Sequence, residues 1–242
     1  MIISKPYPDI ELCFDEKRHR FTIDGRQILS VTAATSMVDK SASLVPWAVG
    51  LARDYLADKW KENLNADEWN ILILEACRQH QIVKEKGGSV GKDVHKWAEQ
   101  FLQGKEPPMP VDEQVRKGVE AFLKWIEQAK VKVIETEKHV YSARYDYAGI
   151  TDLIAEIDGR LAVVDFKTSK GLYNDYLYQV AAYEVAYREM TGSKVKDVWL
   201  VRFDKNTGEF DPHLIDKFEN ANNWGAFHAC LVLKRRELEL KK

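Results

Sequence analysis

The sequence predicts an α/β fold in which a mixed, mostly five-stranded central β-sheet is flanked by helices. The runs 150–157 and 161–168 are β-like and are joined by Asp158-Gly159, the strongest short-range hairpin signal. Both runs carry apolar residues on both faces, so helices should cover both sides of the sheet. Helical periodicity precedes and follows this hairpin, and 242 residues with 45% hydrophobic content suffice for one core. We therefore expect a single domain over residues 1–242.

The first half of the chain is expected to surround this sheet. Residues 1–40 are predicted to form an N-terminal hairpin, because short β-like pieces alternate around Asp24-Gly25. Residues 41–130 are predicted to form a helical wall, since apolar residues recur there at helical spacing in four successive stretches. The glycine-rich segment 87–91 is expected to break the helical pattern between the second and third stretches.

The second half of the chain is expected to supply the core of the fold. Residues 131–212 are predicted to contain, in order, a β-rich run over 131–141, the hairpin 147–168, a helix over 174–190 and a strand over 195–203. Residues 213–242 are predicted to form a C-terminal helix with basic residues late in it.

Composition excludes several classes of protein. The formal net charge of -2 lacks the strongly basic footprint of many nucleic-acid binders, so any such contact must use a local basic groove. Cys13, Cys77 and Cys230 are odd in number and far apart, which indicates neither a disulfide framework nor a zinc or iron-sulfur site. No apolar run is long enough to span a bilayer and no signal peptide is evident, so we expect a cytoplasmic protein.

The central hairpin places two carboxylates close together. If the two-residue turn is the whole loop, counting back from it puts Asp152 directly across from Asp165, and Lys167 shares the face of Asp165. Opposed side chains lie about 5 Å apart, where two carboxylates repel by roughly 3 kcal/mol at an effective dielectric near 20. A cation is therefore expected there, and the oxygen ligands suit a hard divalent ion such as Mg²⁺ or Mn²⁺.

This arrangement suits phosphodiester hydrolysis. A metal held by Asp152 and Asp165, with the Phe166 carbonyl as a further ligand, would activate water, and Lys167 would position the nucleophile and offset developing charge. We assign Lys167 positioning rather than a role as a base, because two nearby carboxylates favour its charged form. The alternative is a salt-bridged strand pair at a solvent-exposed edge of the sheet.

The chain contains four segments in the order and spacing of a known family: Gly91-Lys-Asp-Val-His95, Gly149-Ile-Thr-Asp152, Asp165-Phe-Lys167 and Gln179-Val-Ala-Ala-Tyr183. They resemble the motifs of RecB-type exonucleases in the PD-(D/E)xK nuclease superfamily, over roughly residues 87–190. The resemblance implies a restriction-endonuclease-like core. It also implies that Asp152 and Asp165 bind Mg²⁺ or Mn²⁺, with His95 as an additional ligand and Lys167 as the catalytic lysine.

Three further residues acquire roles from the same resemblance. Gln179 and Tyr183 would line the DNA side or support it, and their i, i+4 spacing on a helix puts both on one face. Glu137 resembles the acidic residue that opens the family's first core strand. Lys92 and Lys96, near His95, are candidates for contacts with backbone phosphates.

The chain departs from the family pattern in two ways. Thr151 replaces the proline of the superfamily's name, although this subgroup commonly lacks that proline. The cysteines that hold an iron-sulfur cluster in some relatives have no counterpart, and the sequence contains no helicase P-loop. The resemblance therefore implies a stand-alone, cluster-free, phage-like nuclease domain.

Each supporting residue has an ordinary structural alternative. His95 taken alone is typical of a core-edge histidine bonded to Glu99 one turn on. Gln179 and Tyr183 taken alone are typical of surface and half-buried helix positions. Lys92 and Lys96 are equally typical of a solvated helix face.

We expect a metal-dependent DNA exonuclease acting in recombination, repair or phage DNA processing and leaving 5′-phosphates. The substrate would be single-stranded DNA or duplex ends, with a helicase or a single-strand annealing protein as a candidate partner and no membrane contact. One alternative is a structure-selective or restriction-type endonuclease of the same fold, and another is a non-catalytic nucleic-acid-binding module. The sequence leaves the oligomeric state open.

Overall fold

The computed structural model describes residues 1–241. In this range the strands are β1 Ile2–Tyr7, β2 Ile10–Asp15, β3 Arg20–Ile23, β4 Arg26–Ser30, β5 Lys132–Ser142, β6 Tyr147–Ile157, β7 Arg160–Lys167, β8 Asp197–Phe203 and β9 Phe210–Ile215. The helices are α1 Val31–Thr35, α2 Ser41–Lys59, α3 Ala66–Leu102, α4 Glu113–Ala129, α5 Asn174–Thr191 and α6 Lys217–Leu240. None of the helices in residues 1–241 combines the length and apolar character that crossing a lipid bilayer requires.

The chain divides into two compact units. The larger unit contains Met1–Val38 and the chain from Asp93 onward, and includes every strand named above. The smaller unit, Asp39–Lys92, contains α2 and most of α3.

The central sheet is mixed and flanked by helices, as predicted, but it is larger than five strands. Within residues 1–241 the sheet has nine strands: eight follow the order β1-β2-β3-β4-β6-β7-β8-β9, and the ninth, β5, pairs with β6. The pairs β4–β6 and β7–β8 are parallel and the other pairs are antiparallel. The count was underestimated for two reasons. The N-terminal segment forms a four-stranded meander rather than one hairpin, and β9 was not predicted.

Both faces of the β6–β7 hairpin are buried, as its sequence predicts. Ile154 and Val163 belong to a core shared with α5 and α6. Leu153, Ala162 and Val164 belong to a second core, whose helix residues come from α3 and α4. The hairpin therefore lies in the middle of the larger unit, with helices packed on each side.

Strand β6 shares one of its edges between two partners. Residues 153–157 pair with β7, whereas Tyr147 and Ala148 pair with β4. Residues 149–152, between these two pairings, form a gap in which this edge of β6 is paired with neither β7 nor β4. Polar groups in this gap must find other partners, and Asp152 is one of the residues there.

The long helix α3 differs from the prediction. It runs without interruption from Ala66 to Leu102, through the glycine-rich segment that was expected to break it. Glycine weakens a helix by roughly 1 kcal/mol relative to alanine but does not forbid it. The helix thus carries His95 without any intervening loop.

Candidate active site

The turn between β6 and β7 sets the geometry of the site. Asp158 and Gly159 both have positive φ, 48° and 73°, as a type I′ turn requires. The predicted register is confirmed, because the pairs run from Ile157–Arg160 to Leu153–Val164. One position further, Asp152 and Asp165 are no longer paired in the ladder, and Asp152 is the residue of the gap in β6 next to the last pair.

At this point the carboxylate of Asp152, rather than a backbone carbonyl, accepts a hydrogen bond from β7. Its Oδ2 accepts a hydrogen bond of 2.6 Å from the backbone N–H of Phe166. Its Oδ1 lies 3.2 Å from Nδ1 of His95, which α3 supplies. Asp152 is thus held between the lysine-bearing strand and a helix more than fifty residues upstream.

The carboxylate of Asp165 is paired with Lys167. Its side chain is only 3% exposed, and its Oδ2 forms an ion pair with Nζ of Lys167. That oxygen accepts no hydrogen bond of good geometry despite its burial. The Lys167 ammonium also lies 4.9 Å from the ring centroid of Tyr176 on α5, a cation–π contact.

Phe166, between the two charged residues, anchors the strand. Its ring lies 5.3 to 5.8 Å from the rings of Phe122, Trp125 and Phe203 and 6.2 Å from the ring of His95. This aromatic cluster holds the end of β7 from the face opposite Asp165 and Lys167.

Glu137 lies on the neighbouring strand β5 in a strained backbone conformation. Its neighbours Thr136 and Lys138 pair with Leu153 and Thr151, so Glu137 lies level with Asp152. Its φ of 46° places it in the left-handed region, which costs a non-glycine residue about 1–2 kcal/mol. Strain of this kind is concentrated at functional sites.

Gln179 and Tyr183 lie on α5, close to the gap in β6. Nε2 of Gln179 donates a hydrogen bond of 2.7 Å to the hydroxyl of Tyr183. Tyr183 is only 3% exposed, and its ring packs so closely on Gly149 that a Cβ there would come within 2.5 Å of it. Of the two roles expected for Tyr183, support of the site fits this burial and lining the DNA side does not.

The two lysines expected to contact phosphates are exposed on α3. Lys96 directly follows His95, and Lys92 precedes it by three residues. Neither is drawn into the ion pairs of Asp152 and Asp165, whose partners are His95 and Lys167. Their role therefore stays a prediction.

The electrostatics of His95 and Asp152 favour a charged pair. Burial lowers the pKa of His95, but the charge and hydrogen bond of Asp152 together hold it above its usual value. Burial raises the pKa of Asp152, but His95, Lys167 and the Phe166 N–H together hold it below its usual value.

The other groups show the crowding of negative charge. Burial raises the pKa of Asp165; Lys167 opposes this and Asp152 adds to it, so the net shift is upward. Burial lowers the pKa of Lys167, but Asp165 and Asp152 outweigh it and keep the ammonium charged. Burial and then the Asp152 carboxylate raise the pKa of Glu137 to about 8. The cluster thus holds more carboxylate than its cations neutralise.

The donor set suits a hard divalent cation in kind. It offers carboxylate oxygens from Asp152 and Asp165, an imidazole from His95 and a buried oxygen of Asp165 that lacks a hydrogen bond. As the side chains stand, no group of three or more His, Cys, Asp or Glu within residues 1–241 is arranged to hold an ion. Lys167 is paired with one oxygen of Asp165 and His95 with one oxygen of Asp152, so these side chains are arranged as ion pairs with each other.

The comparison with protein families identifies the class. Residues 111–237, just over half of the chain, match the model of the PD-(D/E)XK nuclease superfamily. The chain therefore belongs to that superfamily and is a nuclease by class. Asp152 and the segment Asp165-Phe-Lys167, whose sequence has the form (D/E)XK, both lie within the matched residues.

The chain is also similar to solved structures from two bacteria. An alkaline exonuclease from Laribacter hongkongensis is 13% identical, with a TM-score of 0.40 over 88% of this chain and 92% of that one. Its complex with dAMP gives the same identity and TM-score over 89% and 91%. An exonuclease candidate from Eubacterium rectale is 12% identical, with a TM-score of 0.43 over 82% and 86%. With TM-scores below 0.5, these likenesses add nothing to the family assignment. No curated protein matches the chain.

Sequence reasoning missed Tyr176, which contacts Lys167, and the aromatic cluster beneath Phe166. A signal for Tyr176 was present, because it precedes Gln179 by three residues and so shares its helix face. No local signal marks Phe122, Trp125 and Phe203, since their meeting depends on how α4 and β8 pack on β7.

Proposed function

We propose that this nuclease is a divalent-metal-dependent deoxyribonuclease that hydrolyses DNA from its ends. One observation carries the proposal: Asp152, Asp165, Lys167 and His95 converge although they come from two strands and a distant helix. A salt-bridged strand pair at an exposed edge would not need this burial or the upstream histidine.

The metal we propose is Mg²⁺ or Mn²⁺. Asp152 and Asp165 would hold it, with His95 and the Phe166 carbonyl as further ligands. When bound, the ion would lower the pKa of a water and neutralise charge on the scissile phosphate. We propose no iron-sulfur cluster, because the three free cysteines lie on β2, α3 and α6 rather than in a shared motif.

The protein side chains would position the water, hold the metal ligands and balance charge. Lys167, charged in this environment, would orient the attacking water and offset the charge that develops on the phosphate. His95 and the Phe166 N–H hold Asp152 in place, while Tyr183 and Gln179 support the strand behind it. Glu137 would add negative charge beside the metal.

Attack on DNA ends is favoured over internal cleavage by the RecB-type motif order. The chain also lacks an evident module for recognising an internal sequence. We infer that products carry 5′-phosphates and that the reaction serves DNA recombination, repair or phage DNA processing. Lys92 and Lys96 would contact backbone phosphates, and a helicase or annealing protein would supply or receive the strand.

The proposal is tested by changing Lys167 to alanine. The variant should lose about 100- to 1,000-fold in cleavage rate, because charge stabilisation at the reacting phosphate is lost. Lys170, an exposed lysine in the connection between β7 and α5, provides the matched control, and Lys170→Ala should cleave normally. End-labelled single strands, linear duplexes and closed circles are incubated with Mg²⁺ or Mn²⁺, and the products are resolved by size.

The same assay separates the alternatives. Closed circles stay intact with an exonuclease and are opened by an endonuclease. Undiminished cleavage by Lys167→Ala would overturn the assignment of the site, and no cleavage of any substrate by the wild type would favour a binding module. Calorimetric titration with Mn²⁺ checks the metal independently, because Asp152→Asn should weaken its binding.

A further inference from the structure

An exposed aromatic residue stands at the start of α5. Tyr173 is the N-cap residue of this helix, and 47% of it is exposed. Tyrosine is a poor choice for capping, and its side chain makes no capping hydrogen bond. Leu172, Tyr176 and Leu177 pack on the core, whereas Tyr173 is not among the residues that do. Neither capping nor core packing therefore accounts for a large ring at this position.

Tyr173 is connected to the candidate active site through one other ring. The rings of Tyr173 and Tyr176 have centroids 5.5 Å apart and are inclined by 67°, an edge contact. The Tyr176 ring in turn lies 4.9 Å from Nζ of Lys167. These two distances together place the Tyr173 ring within about 10 Å of the catalytic ammonium.

That distance matches the scale of a nucleic-acid strand. Successive bases of a stacked strand are about 3.4 Å apart, so a base near the scissile phosphate lies within reach of the Tyr173 ring. Aromatic rings bind bases by stacking regardless of sequence, because every base has a π-face. A base must leave the duplex to use such a ring, which favours a single-stranded or frayed end.

We propose that Tyr173 is a stacking platform for a base within a few nucleotides of the scissile phosphate, with Tyr176 as its support. Tyr176 also holds Lys167, so the platform and the catalytic lysine are fixed by the same ring. This inference rests on the proposed function, since it concerns the DNA bound at the same site.

The test measures single-turnover cleavage of single strands in which one nucleotide near the end is replaced by an abasic one, at each position in turn. Tyr173→Ala should cleave the unmodified strand about 5- to 100-fold more slowly when the enzyme is in excess of DNA but below saturation, the usual effect of losing one stacked base. Removing the stacked base should cost the wild type a similar factor and cost Tyr173→Ala nothing more. Tyr173→Phe should cleave almost normally.

Two controls exclude a general effect on the fold. Phe218, in the first turn of α6, is 78% exposed, and Phe218→Ala should leave cleavage unchanged. Thermal unfolding should be nearly the same for Tyr173→Ala and the wild type, because the ring lies outside the core. If Tyr173→Ala loses activity because it unfolds, Tyr173→Leu takes its place in the same assays.

The outcomes separate this inference from the proposed function. If the loss from Tyr173→Ala and the loss from the abasic nucleotide multiply at every position, the ring and the bases act independently. With DNA still cleaved by the wild type, this result would overturn the stacking platform but not the proposed nuclease function. If the wild type cleaves nothing, binding of a strand containing 2-aminopurine decides the matter. Quenching that Tyr173→Ala abolishes would support the platform, and quenching that it retains would overturn it.

Discussion

Gly149 shows how closely the residues behind the site are packed. A Cβ at this position would lie 2.5 Å from one ring carbon of Tyr183 and 3.0 Å from Cγ2 of Val31. Tyr183 cannot retreat, because its ring is buried and its hydroxyl is bonded to Gln179. The glycine of the Gly-Ile-Thr-Asp segment is therefore needed for space rather than for an unusual backbone conformation.

We predict that Gly149→Ala lowers the free energy of unfolding by about 1–3 kcal/mol, the usual cost of overpacking a core. Urea denaturation followed by circular dichroism measures this change. Gly225→Ala is the matched control, because a Cβ on this helical glycine would meet nothing within 4 Å. An equal effect of both substitutions would show that Tyr183 does not confine Gly149.

Thr151, which directly precedes Asp152, shows how a buried hydroxyl can tie two strands together. It is fully buried, and its hydroxyl donates a hydrogen bond of 3.2 Å to the carbonyl oxygen of Val164. This bond ties β6 to β7 just where their regular pairing ends. The sequence identified the departure from the family pattern, but its structural use depends on a contact between the two strands.

Helix α3 shows that a local signal can be outweighed by its surroundings. The glycine-rich segment predicts a break, yet the helix continues through it to present Val94, Trp97 and Ala98 to the buried core. Burial of such side chains contributes roughly 1.5–3 kcal/mol each for the large ones, which exceeds the cost of a glycine in a helix. Val90, within the glycine-rich segment itself, is buried as well, so packing favours helix in this stretch too.

We predict that Gly88→Ala raises the free energy of unfolding by about 0.5–1 kcal/mol, because alanine restricts the unfolded chain and favours helix. A Cβ at Gly88 would meet nothing within 4 Å. Gly159→Ala should have the opposite effect, since its φ of 73° suits glycine. Thermal and urea denaturation of both variants provide the measurement, and destabilisation by Gly88→Ala would indicate a break in the helix after all.

The charges gathered at the site affect the stability of the complete protein. Glu137 and Asp165 hold their protons to higher pH in the folded state than in the unfolded chain, because burial and Asp152 raise their pKa values. The folded state therefore binds more protons above about pH 4, and stability falls as these groups ionise. His95 acts in the same direction above its ordinary pKa, since its own pKa is raised.

We predict that the protein without divalent metal loses stability between pH 5 and about pH 8.5, and that Glu137→Gln removes about 1–3 kcal/mol of this loss. Denaturation in the presence of a chelator, repeated across this pH range, measures it. Glu127→Gln, on the exposed side of α4, should leave the slope unchanged. A slope unaffected by Glu137→Gln would contradict the burial assigned to this carboxyl group.

Much of the site was predictable because its parts are local in the chain. The two-residue turn sets the register of β6 and β7, and strand alternation then places Asp152, Asp165 and Lys167 without knowledge of the rest of the fold. The mixed sheet with helices on both sides followed from apolar residues on both faces of that hairpin. Each of these inferences depends on neighbours within about twenty residues.

The remaining features depend on contacts between distant segments, which local patterns do not specify. His95 reaches Asp152 because the end of α3 packs on the sheet, and Tyr176 lies over Lys167 because α5 packs on the sheet. The sheet has nine strands within residues 1–241 because β4 joins β6, a pairing of two residues that no turn dictates. Turn chemistry and alternation thus establish the acidic hairpin, whereas packing of helices and strands far apart in the chain completes the site around it.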